Sequence, residues 1–189
     1  MAKPQKVVAN RVIGMDCSTQ SLAYAIIEND VPVTCGEVFL QGNDVYERLN
    51  AARQETQKLV DAGILVGDLV AIEKAVFVSN KDVVIKLAYV FGAILSVLMQ
   101  NHMSVVNIVP IQWQTGINVP NLKRHEKEQI IIDNPGRSKT WLQNEGRRIR
   151  KARILDIADQ HFSIPSRSDN IGDSCGLALY ANEHLTRRA

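Results

Sequence analysis

Two short apolar stretches of this chain end on a carboxylate: Val12-Ile-Gly-Met-Asp16 and Leu69-Val-Ala-Ile-Glu73. Runs of this kind read as strands inside a sheet. A carboxylate buried there costs several kcal/mol unless it is paired or holds a cation, so any fold of this sequence must bring something to offset both. The chain around them is punctuated regularly. Residues 23–27, ending at the Asn29-Asp30 turn, make a hairpin with the first strand, and residues 33–40 continue as a third. Val45, Leu49, Ala52, Leu59 and Ala62 recur among charges over residues 44–62, with Gly63 as a stop, which makes an amphipathic helix. Residues 82–99 return to helical spacing and residues 105–109 form a fifth strand. Residues 152–161 and 173–185 read as the last two helices.

A chain of 189 residues, 46% hydrophobic and 22% charged, suits one domain with a full core and excludes general disorder. The longest apolar run, residues 88–99, is short of the roughly 20 residues a bilayer span needs, so no membrane partner is expected. Met1-Ala-Lys-Pro-Gln-Lys6 lacks the pattern of a secretion signal, and a cytoplasmic location is expected. Cys17, Cys35 and Cys175 form no Cys-x-x-Cys pair and suggest neither a disulfide framework nor a zinc site.

The net charge is only +2, but residues 123–153 hold ten Lys/Arg against four Asp/Glu, a local +6, so the rest sums to −4. That stretch, with Trp141 and Gly146-Arg-Arg-Ile-Arg-Lys151, has the composition of a phosphate-backbone contact surface. A solvated helix face is the ordinary alternative.

A third acidic cluster, Asp169-Asn170-Ile-Gly-Asp173, opens the final apolar helix, with Asn170 and Asp173 three apart on one face. Oxygen ligands converging from two strand ends and a helix start suit Mg²⁺ or Mn²⁺. Each residue taken alone also has a plain structural role: Asp16 in a turn, Glu73 paired with Lys74 or another cation, Asp169 as a helix cap.

The order of these pieces resembles the ribonuclease H-like nucleases, and more closely the Holliday-junction resolvases of the RuvC type. The stretch that carries the resemblance best is Ala71-Ile-Glu-Lys-Ala-Val-Phe-Val-Ser-Asn-Lys-Asp-Val-Val-Ile-Lys-Leu87, similar to the family's Ala-Ile-Glu strand, apolar-aromatic pair, Asn-x-Asp and Lys-Leu. Gly14-Met-Asp16 with Ser18, Thr19 and Tyr24, Gln114-Thr115, and Asp173 add to it. The resemblance spans about residues 12–181, and implies a single ribonuclease H-like α/β domain over residues 1–189, with a basic insertion near 118–148. Its five-stranded mixed sheet would run in the order 3-2-1-4-5, the first three strands antiparallel, with helices on both faces.

Carried over, the resemblance implies a metal site of Asp16, Glu73, Asp173 and position 170, holding two Mg²⁺ ions about 4 Å apart, with Mn²⁺ able to substitute. The expected reaction is paired hydrolysis of phosphodiesters in four-way DNA junctions and other branched DNA, in recombination and repair. Two symmetric cuts call for a homodimer, and the apolar helix 82–99 is a candidate pairing face, with burial on both sides inside the monomer as the alternative. Lys151 corresponds to the lysine near the scissile phosphate, with a surface phosphate contact or a solvent-exposed lysine as its ordinary alternative. Phe77 is the apolar wedge at the crossover, with a place in the core as its ordinary alternative. DNA contacts are assigned to Phe77, Asn80, Lys81, Lys86, Arg147, Arg148, Arg150 and Lys151.

Position 170 departs from the pattern, because the family has an acidic residue where this chain has Asn170. Asn offers one neutral oxygen where a carboxylate offers two charged ones. Asp169 substitutes as a ligand, or Asn170 is an introduced inactivating change, or the chain is a weak catalyst. The second is favoured, and it implies that Asn170→Asp raises activity. Two rival readings stand: a non-cutting junction-binding protein, and a fragment of an actin-like carbohydrate kinase, whose first phosphate loop Gly14-Met-Asp-Cys-Ser-Thr-Gln-Ser-Leu22 also resembles. The second phosphate loop of such kinases is missing, and the chain is too short for their two domains. The inserted basic stretch favours a phage origin.

Overall fold

A computed structural model describes residues 6–74, 81–119, 121–164 and 167–187. Phe77 and Asn80 lie outside the described residues. The short strand β1 (Val7–Val8) is followed by an antiparallel meander of β2 (Arg11–Cys17), β3 (Ser21–Glu28) and β4 (Val31–Phe39). After helix α1 (Val45–Asp61) comes β5 (Leu69–Glu73), parallel to β2. After α2 (Lys81–Gln100) comes β6 (Ser104–Ile108), parallel to β5. The five strands stand in the order β4-β3-β2-β5-β6, the expected arrangement. Helices α3 (Pro110–Gly116), α4 (Arg124–Asp133), α5 (Lys139–His161) and α6 (Asp169–His184) follow, and β7 (Thr186–Arg187) pairs in parallel with β1.

Strand alternation sorts the core into two layers. Ile13, Met15, Leu22, Ile26, Val70 and Ile72 pack on one face with Ala52 and Leu59 of α1 and Val90, Ile94 and Leu98 of α2. Val12, Ala23, Ala25, Ile27 and Ala71 face the other way, toward α3, α5 and α6. Helix α1 starts at Asp44, whose carboxylate accepts from the amides of Tyr46 and Glu47 at 2.8 and 2.9 Å.

The register decides which polar residues share a face. Asp16 pairs with Ala23, and Ala23 with Glu37, so Asp16, Ala23 and Glu37 form one row across three strands. A bulge between Ile26 and Ile27 shifts β4 by one residue. Counted from the turn without it, Ala23 would face Gly36 and Glu37 would fall on the opposite face. On the other side of β2 the last parallel pair is Met15 with Ile72, and Asp16 and Glu73 come next on their strands.

Several expectations need correction. The last helix begins at Asp169 rather than Asp173, because Ser168 supplies the N-cap backbone. The helix read over 152–161 is the end of the 23-residue α5, whose first half is so rich in charge that its apolar stripe is faint. The basic stretch is therefore α4 and most of α5, packed together. The short β1–β7 pair and α3 were not read from the sequence. The apolar run of about a dozen residues belongs to α2, a 20-residue helix long and apolar enough, by length and composition only, to cross a bilayer. Here its Val90, Ile94 and Leu98 edge packs on the sheet.

Candidate active site

Gly14 and the start of α6 build the site together. A Cβ at Gly14 would meet the Ser174 carbonyl and Ala178 backbone, so glycine lets α6 cross directly over β2. The crossing carries Asp173 into the face that holds Asp16 and Glu73. Asp173 is 6% exposed. Its Oδ2 accepts from Lys151 Nζ of α5, while its Oδ1 is buried without a hydrogen-bond partner. Glu73 Oε2 accepts from the indole Nε1 of the fully buried Trp113, on α3, at 2.8 Å.

The fold offsets these charges only in part. Burial, then the neighbouring Asp173 and Glu73, push the Asp16 carboxyl up to about 8, against a smaller lowering by Lys151. Burial also raises Glu73 and Asp173. The Trp113 indole opposes the rise at Glu73, and Lys151 the rise at Asp173. Arg150 acts in the same lowering sense on both.

These residues fit a divalent cation by charge and donor chemistry. Asp173 and Glu73 raise Asp16, Asp173 raises Glu73, and one carboxylate oxygen is orphaned in the interior. Among the described residues they do not stand as a ready-made ligand cluster. Lys151 holds Asp173 and Trp113 holds Glu73, so the side chains are drawn to protein partners rather than to one point.

The remaining candidates are spread around this centre. Asp169 is exposed in the first turn of α6 and adds to the negative potential at Asp173. Asn170 donates from Nδ2 to Ser21 Oγ at 3.0 Å and to Glu37 Oε1 at 2.7 Å. A carboxylate only accepts, so the amide nitrogen must face Glu37. Glu37 was not singled out from the sequence. Lys81 and Lys86 are exposed on the first turns of α2. Arg147 and Arg150 line a groove between α4 and α5 with Lys127 and Lys139, and Arg150 also donates to Asn121 Oδ1 at 2.5 Å. Arg148 is clasped instead by Glu145, at 2.6 and 2.9 Å.

No curated protein matches the chain significantly. Among solved structures it is similar to Thermus thermophilus RuvC in complex with a Holliday junction substrate, with TM-score 0.62 and 14% identity over 91% of this chain and 92% of that one. A second Thermus thermophilus RuvC structure gives TM-score 0.56 and 16% identity over 91% and 93%. The yeast mitochondrial Holliday junction resolvase Ydc2 gives TM-score 0.51 and 8% identity over 94% and 79%. At such low identities these likenesses establish the fold, which is ribonuclease H-like. The family model described as crossover junction endodeoxyribonuclease RuvC matches residues 12–132. That stretch runs from β2 into α4 and takes in both strand carboxylates, together with the loop that also resembled a kinase. The chain thus belongs to the RuvC family of crossover junction endodeoxyribonucleases.

Proposed function

We propose that this protein is a metal-dependent endonuclease that resolves four-way DNA junctions, and that it acts on other branched DNA by the same chemistry. The observation that carries the reading is the convergence of Asp16 and Glu73, at the ends of adjacent parallel strands, on the buried Asp173 and Lys151 pair. Asp16, Glu73 and Asp173 would hold Mg²⁺ or Mn²⁺, with Asp169 near enough in charge to add to the field. Bound there, the ions supply an activated water for in-line attack and neutralise the departing 3′ oxygen.

The chain's own groups do the rest. Trp113 fixes one oxygen of Glu73, so the other would be the one to hold a cation. Lys151 is 14% exposed, so its ammonium can offer charge to a scissile phosphate while remaining beside Asp173. The α4–α5 groove, with Arg147, Arg150, Lys127 and Lys139, gives the junction arms a cationic track. Arg148, Lys81 and Lys86 are outer phosphate contacts. Phe77 and Asn80 keep the wedge and DNA-contact roles that the resemblance implies.

Paired cuts need two sites, and α2 offers the surface for a homodimer. Ile85, Ala88, Tyr89, Gly92, Ser96 and Met99 are exposed along one side of it at intervals of three and four residues. Small residues among large ones allow two such helices to approach closely. A cytoplasmic setting in a bacterium or a phage-infected cell suits this reading.

A labelled mobile four-way junction, incubated with the protein and Mg²⁺ or Mn²⁺, should be cut into paired nicked duplexes, with cutting abolished by chelator. Asp16→Asn and Glu73→Gln should abolish cutting and leave junction binding in place, because less negative charge then faces the phosphates. Full activity in chelator would defeat the metal mechanism. Tight junction binding without cutting under any divalent ion would favour a non-cutting binding protein.

A further inference from the structure

We propose that Glu37 is the fourth carboxylate of this cleft, supplying from β4 the negative charge that the RuvC-type pattern carries at position 170, with Asn170 as its positioning residue. The proposal rests on the resolvase reading, and three observations lead to it. Glu37 stands in the same strand row as Asp16, on the same face, with only Ala23 between them. The row spans two strand spacings, about 10 Å, with the fully buried Ala23 packed beneath α6 between the two carboxylates, and the Glu37 charge is felt at Asp16.

Both oxygens of Glu37 are held from the start of α6. Ser168 Oγ donates to Oε2 at 2.7 Å, and Asn170 Nδ2 donates to Oε1 at 2.7 Å. Ser168 occupies the N-cap position, yet its hydroxyl makes no cap bond to the helix backbone. The first turn of α6 thus spends its polar side chains on a residue of another strand, and that carboxylate lies at the positive end of a 16-residue helix.

The third observation is one of compatibility. Asn170 also donates to Ser21 on β3, so its amide joins two strands to the helix. An aspartate at 170 could make neither donation and would set a second negative charge against Glu37. Asn170 and Glu37 are therefore one arrangement, a carboxylate moved from helix to strand with an amide left to hold it. The expectation that Asn170→Asp raises activity is reversed while Glu37 is present.

A double-mutant cycle tests this with wild type, Glu37→Gln, Asn170→Asp and the combined variant, in the full-length protein. Three readouts serve: Mn²⁺ affinity by calorimetry without DNA, thermal unfolding of the metal-free protein, and junction cleavage. Glu37→Gln should weaken Mn²⁺ binding about tenfold or more. Asn170→Asp alone should lower the metal-free melting temperature and bring no gain in Mn²⁺ affinity. The combined variant should return both towards wild type, a rescue that loss of a merely structural hydrogen bond would not produce. Unchanged Mn²⁺ affinity in Glu37→Gln, or tighter binding in Asn170→Asp with Glu37 intact, would overturn the proposal. Additive melting temperatures alongside metal-dependent cutting would also overturn it and leave the resolvase reading standing. Coupled melting temperatures without cutting would keep the pairing and defeat the resolvase reading.

Discussion

Gly14 of β2 lies so close to Ala178 of α6 that a Cβ would fall 2.9 Å from the Ala178 Cα, and nearer still to its amide nitrogen. No rotamer change relieves a clash with backbone. The same approach sets the height of α6 over the sheet and so the position of Asp173 relative to Asp16. Gly14→Ala should therefore destabilise the fold by about 3 kcal/mol or more, read as a lower midpoint in urea. Any folded fraction should cut junctions slowly, because α6 must lift. A variant with wild-type midpoint and activity would show that α6 is free to shift.

Asp16 makes the metal-free protein pH-sensitive. Its carboxyl is pushed up to about 8, mainly by burial, so the folded state retains a proton that the unfolded chain releases near its ordinary value of 3.8. Between about pH 4 and pH 8 the folded state binds more protons. The contribution of Asp16 to stability thus falls as pH rises through that window and levels off above it. In chelator, Asp16→Asn should be more stable than wild type at pH 7, by up to about 4 kcal/mol, with the gap closing towards pH 4. Thermal unfolding across that range checks the sign.

How far the site was legible depended on which residues had to be placed by register. Asp16 and Glu73 stood out because a carboxylate on an apolar strand is costly wherever the strand packs. Asp173 stood out because it belongs to the acidic cluster that opens an apolar helix. Glu37 did not, because counting back from the Asn29-Asp30 turn puts it on the wrong face, and only the bulge at Ile26/Ile27 returns it to the Asp16 row. The bond from Trp113 to Glu73 joins residues 40 positions apart, and nothing local to either announces it. The strands and most helices could be read from the pattern of apolar residues, and the sheet order came from the family resemblance. Helix α5 could not be read in full, since over most of its length charges outnumber the few residues it buries, Ile154, Leu155 and Ala158.

Trp113→Phe isolates the indole donor. The ring stays apolar and near the original shape, while Glu73 loses its 2.8 Å bond. Stability should fall by about 1 to 3 kcal/mol, combining the lost bond and a small void. Glu73 would then be free to turn away from the cleft, and the Mn²⁺ concentration needed for half-maximal cleavage should rise several-fold. An unchanged metal dependence would mean that the indole serves the core alone.

If α2 pairs with its copy, a charge on its outer side should separate the protomers. Ile85 is 50% exposed and Tyr89 45% exposed, and Tyr89 stacks with Tyr46 of α1 at 6.5 Å between centroids. Ile85→Glu leaves the core edge of α2 untouched, so the monomer should keep its fold. Sedimentation equilibrium should show a shift from dimer to monomer. Junction products should change from paired cuts to single, uncoordinated nicks, since each free protomer carries one site. A wild-type chain that sediments as a monomer at micromolar concentration would remove α2 as the pairing face.

The arginines of α5 divide by their partners, and their effects on DNA binding should divide likewise. Arg147 lines the α4–α5 groove and Arg148 is held by Glu145. Arg150 donates to Asn121, and its charge lowers the carboxyls of Glu73 and Asp173, so its loss would mix binding with chemistry. Arg147→Ala should weaken binding to junctions of any sequence and make the plot of log affinity against log salt shallower by about 0.9, the value for one phosphate contact on a duplex arm. Arg148→Ala should change the slope less, because Glu145 already offsets its charge. The preferred cleavage sequence should stay the same in both, since phosphate contacts position a protein without reading bases. Equal, unaltered salt slopes in the two variants would make this part of α5 a solvated surface and place the DNA track elsewhere on the protein.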